Sequence, residues 1–290
     1  MNLSGKRALI TGASQGFGLA VAQAYAREGA SVMMCARSTA VLSDACETVR
    51  RLACDGAKIQ FRTADIGKTT DVDELVKATL SDLGGLDILV ANAGVYGPKG
   101  SIEAVDWDEW RQAIEINLLG TIYSCRAVVP EFKRQKHGKI IILSGGGATK
   151  PMPFLSAYAA SKAAVVRFAE TLSEELRDYN VDINTIAPGA LNTRLLDEVL
   201  AAGPEKVGKV FYAASLEQRR TGGTSLEPGT NLCTYLGSTK SDGISGRLIS
   251  ALWDPWDRFA ELAPQLAKSD IYTLRRIVPK DRNLDWGEPR

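Results

Sequence analysis

Short apolar runs rich in β-branched residues alternate with longer stretches of helical periodicity from the N-terminus to about residue 190. That alternation is the mark of successive βαβ units and a parallel sheet. The pattern predicts strands at 6–11, 31–36, 58–64, 86–91, 139–144 and 181–187, with a further short strand at 246–251. Helices are predicted at 16–28, 39–54, 71–83, 107–135, 156–179 and 227–238. The strands are apolar at nearly every position, so helices must cover both faces of the sheet. The expected architecture is an α/β chain with a doubly wound parallel sheet: a single domain over 1–250 with a C-terminal extension over 251–290. In such a sheet the ligand crevice lies beyond the carboxyl ends of the strands, where strand order reverses. Loops that follow strands are therefore where chemistry is expected.

Composition removes several classes of function. With 35 basic and 34 acidic side chains the net charge is +1, which gives a nucleic acid or an anionic membrane no electrostatic attraction. The first residues lack the apolar core of a signal peptide, and no apolar run approaches the roughly 18 residues of a membrane span. A soluble, cytoplasmic protein is expected. Cys35, Cys46, Cys54, Cys125 and Cys233 form no CxxC pair and are read as core residues rather than a disulfide framework or metal site. His137 is the one histidine, so serine hydrolysis and histidine acid/base chemistry would all depend on it.

The first strand runs into Thr11-Gly12-Ala13-Ser14-Gln15-Gly16-Phe17-Gly18, and a helix follows at once. Glycines permit a tight turn and close approach to a pyrophosphate, while free amides and the helix dipole attract it. Gly12-Ala13-Ser14-Gln15-Gly16 also fits a GxSxG nucleophile elbow. That reading needs His137 to follow a strand, whereas it precedes one. At the end of the second strand a dinucleotide site usually carries an acid for the ribose 2′-hydroxyl, or a basic residue for the 2′-phosphate of NADP. Here the stretch is Met34-Cys35-Ala36-Arg37-Ser38, and Arg37 favours NADP over NAD.

Tyr158 and Lys162 stand one helical turn apart in Ser156-Ala157-Tyr158-Ala159-Ala160-Ser161-Lys162. An ammonium beside a phenol favours phenolate, which would let tyrosine exchange a proton near neutrality. With these motifs in order, and with Asp65, Ala91-Asn92-Ala93-Gly94, Asn117 and Pro188-Gly189 followed by Thr193, the sequence resembles the short-chain dehydrogenases/reductases, a Rossmann-type family, over residues 3–250. The resemblance implies hydride transfer between a nicotinamide and a carbonyl/secondary alcohol pair, with Tyr158 as general acid/base. It implies that Gly12, Ser14, Gln15, Gly16, Phe17 and Gly18 cradle the diphosphate and that Asp65 and Ile66 meet the adenine. Asn92, Ala93 and Gly94 would line the ribose side. Lys162 would hold the nicotinamide ribose, with Asn117 anchoring a water behind it. Pro188, Gly189, Leu191 and Thr193 would hold the carboxamide. Pairing through the helices at 107–135 and 156–179, as a homodimer or homotetramer, is likewise implied.

The sequence departs from that family in two places. The family's substrate-binding serine falls where this chain has Gly145, and Ser144 lies one residue away. The run Gly145-Gly146-Gly147 suggests a shifted backbone that returns the Ser144 hydroxyl to the site; the rivals are glycine amides, or a protein that binds NADP without turnover. A cofactor-retaining epimerase or dehydratase is a further alternative. The extension after residue 250 would close over the pocket or cross to a neighbouring subunit. In the variable substrate segment, about 190–225, Arg194, Lys206, Lys209, Arg219 and Arg220 scatter positive charge, so a polar or anionic substrate is expected.

Overall fold

Successive residues of the first strand, β1 (Arg7–Thr11), enter two different cores: Leu9 joins one, Ala8 and Ile10 the other. The next strand, β2 (Ser31–Ala36), does the same with Met33 against Val32 and Met34, as the twofold period of a strand requires. The computed structural model describes residues 1–287. Five further strands are β3 (Ile59–Thr63), β4 (Ile88–Ala91), β5 (Gly138–Leu143), β6 (Val181–Ala187) and β7 (Arg247–Ser250). All pair in parallel, in the order β3-β2-β1-β4-β5-β6-β7. Strand order reverses between β1 and β4, so the loops after these two strands face each other across the crevice.

Helices α1 (Gly16–Arg27) and α2 (Thr39–Arg50) contribute to one core, and α3 (Thr69–Leu83) to the other. The predicted helix at 107–135 is interrupted. It comprises α4 (Trp107–Ile114), a π-helical turn at Glu115–Leu119 and α5 (Gly120–Gln135). Such a turn inserts an extra residue and often marks a functional position; Asn117 lies within it. The helix predicted at 156–179 ends earlier, as α6 (Ser156–Glu175), followed by a 3₁₀ turn at Arg177–Tyr179. No helix among the described residues is long and apolar enough to cross a membrane.

The substrate segment is more ordered than its sequence suggested. It folds as α7 (Arg194–Ala202), α8 (Pro204–Val207) and α9 (Lys209–Thr221). Gly203, Gly208 and Gly222 separate or end these helices with φ of +78°, +82° and +88°, values that favour glycine. Helix α10 (Glu227–Gly237) then packs against α1 before β7.

The C-terminal extension corrects an expectation: it folds back on its own β7 and α6 rather than closing over the crevice. Its helix α11 (Phe259–Leu266) buries Phe259 completely, and that ring stacks on Tyr272 with centroids 5.4 Å apart. The Arg247 guanidinium donates to the carbonyls of Ser269 and Ile271 at 2.9 and 2.8 Å. The Leu248 amide donates to Tyr272 O at 2.8 Å, and the Leu274 amide to Glu170 Oε1 at 2.6 Å. Trp253, at the start of the extension, does reach the crevice mouth. Replacing Phe259 with alanine is expected to cost about 3–5 kcal/mol, read as a lower urea midpoint. An unchanged midpoint would show that α11 lies outside the cooperative core.

Candidate active site

The glycine loop is shaped by close contacts that only glycine allows. A Cβ at Gly18 would lie 2.3 Å from Gly12 O and 2.4 Å from Asn92 Nδ2, so the loops after β1 and β4 touch there without a side chain between them. Gly12 and Gly16 adopt φ of +66° and +57°. Gln15 caps α1 without a side-chain hydrogen bond, and the first turn of α1 holds no acid. That helix end therefore presents free amides and an uncompensated positive dipole, a cradle suited to a diphosphate. Phe17 turns inward, against the surface of α10 at Gly229.

A crevice of about 1250 Å³ opens at this end of the sheet. Gly12, Ser14, Gln15, Gly16, Phe17, Gly18, Arg37, Asp65 and Ile66 line it, as do Asn92, Ala93, Gly94, Pro188, Gly189, Leu191 and Thr193. Tyr158, Lys162 and Ser144 line the same space. Asn92 holds the two loops together, its amide donating to the carbonyls of Thr11 and Gly12 at 2.9 and 3.1 Å. Asp65 Oδ1 accepts the Gly67 amide at 3.0 Å. Arg37 is exposed at the lip. His137 stands at the opposite end of β5, just before Gly138, too far along the sheet to serve the glycine loop.

Asn117 is fully buried behind the wall. Its Oδ1 accepts the Val95 amide at 2.8 Å, and its Nδ2 donates to Val95 O at 2.8 Å and to Ser161 Oγ at 3.0 Å. The π-helical turn thus clamps the loop after β4 to α6.

Two expectations about the catalytic group are overturned. Lys162 Nζ donates to Leu143 O at 2.7 Å and lies 5.8 Å from the centre of the Tyr158 ring. Burial, with Tyr96 as a lesser cause, pushes the Tyr158 phenol well above its usual range rather than below it. Burial also pushes Lys162 down to about 8. Desolvation favours the neutral form of both groups, and it is the largest cause of each shift. The second correction concerns Ser144. Its Oγ donates to Lys162 O at 3.3 Å, so the shifted backbone does not turn that hydroxyl towards Tyr158. The place beside the phenol belongs to Gly145, where a Cβ would lie 2.5 Å from the Tyr158 hydroxyl.

The family described as short chain dehydrogenase matches residues 6–202. The chain belongs to that family. Among similar curated proteins, dehydrogenase/reductase SDR family member 4 of Sus scrofa is 32% identical over 247 residues, covering 85% of this chain and 86% of the relative. The 3beta-hydroxysteroid dehydrogenase 1 of Eggerthella lenta is 37% identical over 201 residues, covering 69% and 76%. Among solved structures, levodione reductase superposes with a TM-score of 0.79 at 25% identity, covering 92% of this chain and all of that one. As a short-chain dehydrogenase/reductase, the protein is a nicotinamide-dependent oxidoreductase acting on a small molecule.

The arginines of the substrate segment pair with carboxylates, and Arg194 and Arg219 also line the crevice. Glu198 takes both Lys99, at 3.3 Å, and Arg194, at 2.9 Å. Asp197 pairs with Arg219, and Glu217 with Arg220 at 2.6 Å. Lys206 and Lys209 are exposed and do not line the crevice. The sequence showed the cations but could not show their partners. It also missed Tyr96, Met152, Phe211 and Trp253, which line the substrate end. For Tyr96 a signal existed, since it follows the Asn92-Ala93-Gly94 run by two residues.

Proposed function

We propose that this short-chain dehydrogenase/reductase is NADP-dependent and interconverts a largely apolar ketone and its secondary alcohol. The observation that carries the reading is that the phosphate cradle, Arg37, Tyr158 and Lys162 share one crevice at the switch point of the sheet. NADPH, when bound, supplies the hydride. Tyr158, neutral because it is buried, gives its proton to the carbonyl oxygen, and Lys162 restores that proton. Asn117 fixes the loop that forms one wall. The basic side chain of Arg37 and the absence of an acid at the end of β2 support a 2′-phosphate.

The substrate end of the crevice supports an apolar body. Tyr96, Met152, Leu196, Val199, Phe211 and Trp253 line it. Two polar side chains of the substrate segment already have partners there: Gln218 donates to Asn192 at 3.0 Å, and Ser215 to Phe211 O at 2.8 Å. A pocket lined mainly by apolar and aromatic side chains selects by shape and apolar contact. The similar proteins named for a 3beta-hydroxysteroid and for levodione accord with this. We take the protein to be cytoplasmic and to pair, as a homodimer or homotetramer, through the outer faces of α5 and α6.

The test is to offer NADPH and NADH separately against cyclic ketones, keto-sugars and acyl thioesters, following nicotinamide absorbance. Cyclic ketones with NADPH are expected to react fastest. Tyr158→Phe should still bind NADPH by fluorescence titration yet turn over about a hundredfold more slowly or worse, the usual weight of a general acid. Arg37→Ala should raise the KM for NADPH about ten- to hundredfold and leave that for NADH unchanged, reflecting the loss of a charged hydrogen bond. Reduction should be flat with pH below about 8, where Lys162 is an ammonium, and should fall above it as that proton is lost. A reductive pH profile that rises through this range would refute a proton supply from Lys162.

A further inference from the structure

Hydride delivery to a ketone leaves negative charge growing on its oxygen, and a donor placed there in advance lowers the barrier. A second donor beside Tyr158 would stabilise that charge further, and neither side chain next to the phenol in the loop after β5 supplies it. Gly145 has no side chain, and any Cβ there meets the Tyr158 hydroxyl at 2.5 Å. The hydroxyl of Ser144 is buried and bonded to Lys162 O.

We infer that the Tyr96 hydroxyl is that second donor, a further catalytic group of this site. The inference rests on the reductase reading above. The Tyr96 ring packs edge to face on Tyr158, with centroids 4.6 Å apart and planes at 68°, and both rings line the crevice. Among the described residues the Tyr96 hydroxyl has no hydrogen-bond partner, unlike the paired polar groups of the substrate segment. Burial and the nearby Glu198 carboxylate both push its phenol upward, so it keeps its proton and remains a donor.

Its position is also fixed. Asn117 holds Val95, the preceding residue, by amide and carbonyl at 2.8 Å each. Gly97, the following residue, adopts a φ of +72°, and a Cβ there would lie 2.6 Å from Ala113 Cβ on α4. A tyrosine between two such anchors presents its hydroxyl without paying for a rearrangement during the reaction. The arrangement replaces a serine on the loop after β5 with a phenol on the loop after β4.

The test uses Tyr96→Phe, which keeps the ring against Tyr158 and removes only the hydroxyl. With the best ketone and NADPH, kcat for reduction is expected to fall about a hundred- to thousandfold, the range for loss of one preorganised donor. NADPH affinity by fluorescence titration should be unchanged, which shows that the site is folded. Tyr158→Phe is measured alongside. If it is inactive while Tyr96→Phe matches the wild type, this inference alone is overturned. If Ser144→Ala loses turnover while Tyr96→Phe keeps it, Ser144 holds the role instead and the inference is again overturned. If Tyr158→Phe runs at the wild-type rate, or the wild type reduces no ketone, the reductase reading falls and takes this inference with it.

Discussion

One buried amide side chain joins the parts of the site. Asn117 grips both backbone groups of Val95 and donates to Ser161, so it ties together the loop after β4, the break between α4 and α5, and the helix carrying Tyr158 and Lys162. With its side chain so engaged, Asn117 needs a backbone that departs from α-helical pitch, which the π-helical turn provides. A regular helix through 107–135 would have turned this residue away. The irregularity therefore serves to align a loop from one half of the sheet with a helix from the other.

Against that frame the electrostatics are simple. Tyr158 and Lys162 lie in a site dry enough to favour their uncharged forms, and the ammonium is supported by the Leu143 carbonyl rather than by the phenol. A protonated phenol beside a lysine that titrates near neutrality suits proton donation.

The order of strands and helices was legible in the sequence because each strand is apolar throughout and each following helix has its own period. The glycine loop was legible because its conformational needs fall on particular residues, Gly12 and Gly18 above all. Other features depend on what lies across space. Nothing local in Arg194 or Arg219 reveals that Glu198 and Asp197 neutralise them. The direction of the Ser144 hydroxyl follows from the extended backbone at Gly145 and the carbonyl of Lys162, neither of which spacing records. The helices of the substrate segment are short and bounded by glycines, so their periodicity is too brief to stand out. The interruption at Asn117 is invisible for a different reason, since it is imposed by a partner in another loop.

The extension bears on how this molecule behaves in a crowded solution. β7 lies at the margin of the sheet, and a bare strand margin is a template on which another chain can add. Here the chain occupies its own margin, with Tyr272 bonded to Leu248 and Arg247 gathering the carbonyls of the returning segment. A shortened form that kept every residue of the crevice would still expose that template, and would be prone to self-association by strand addition.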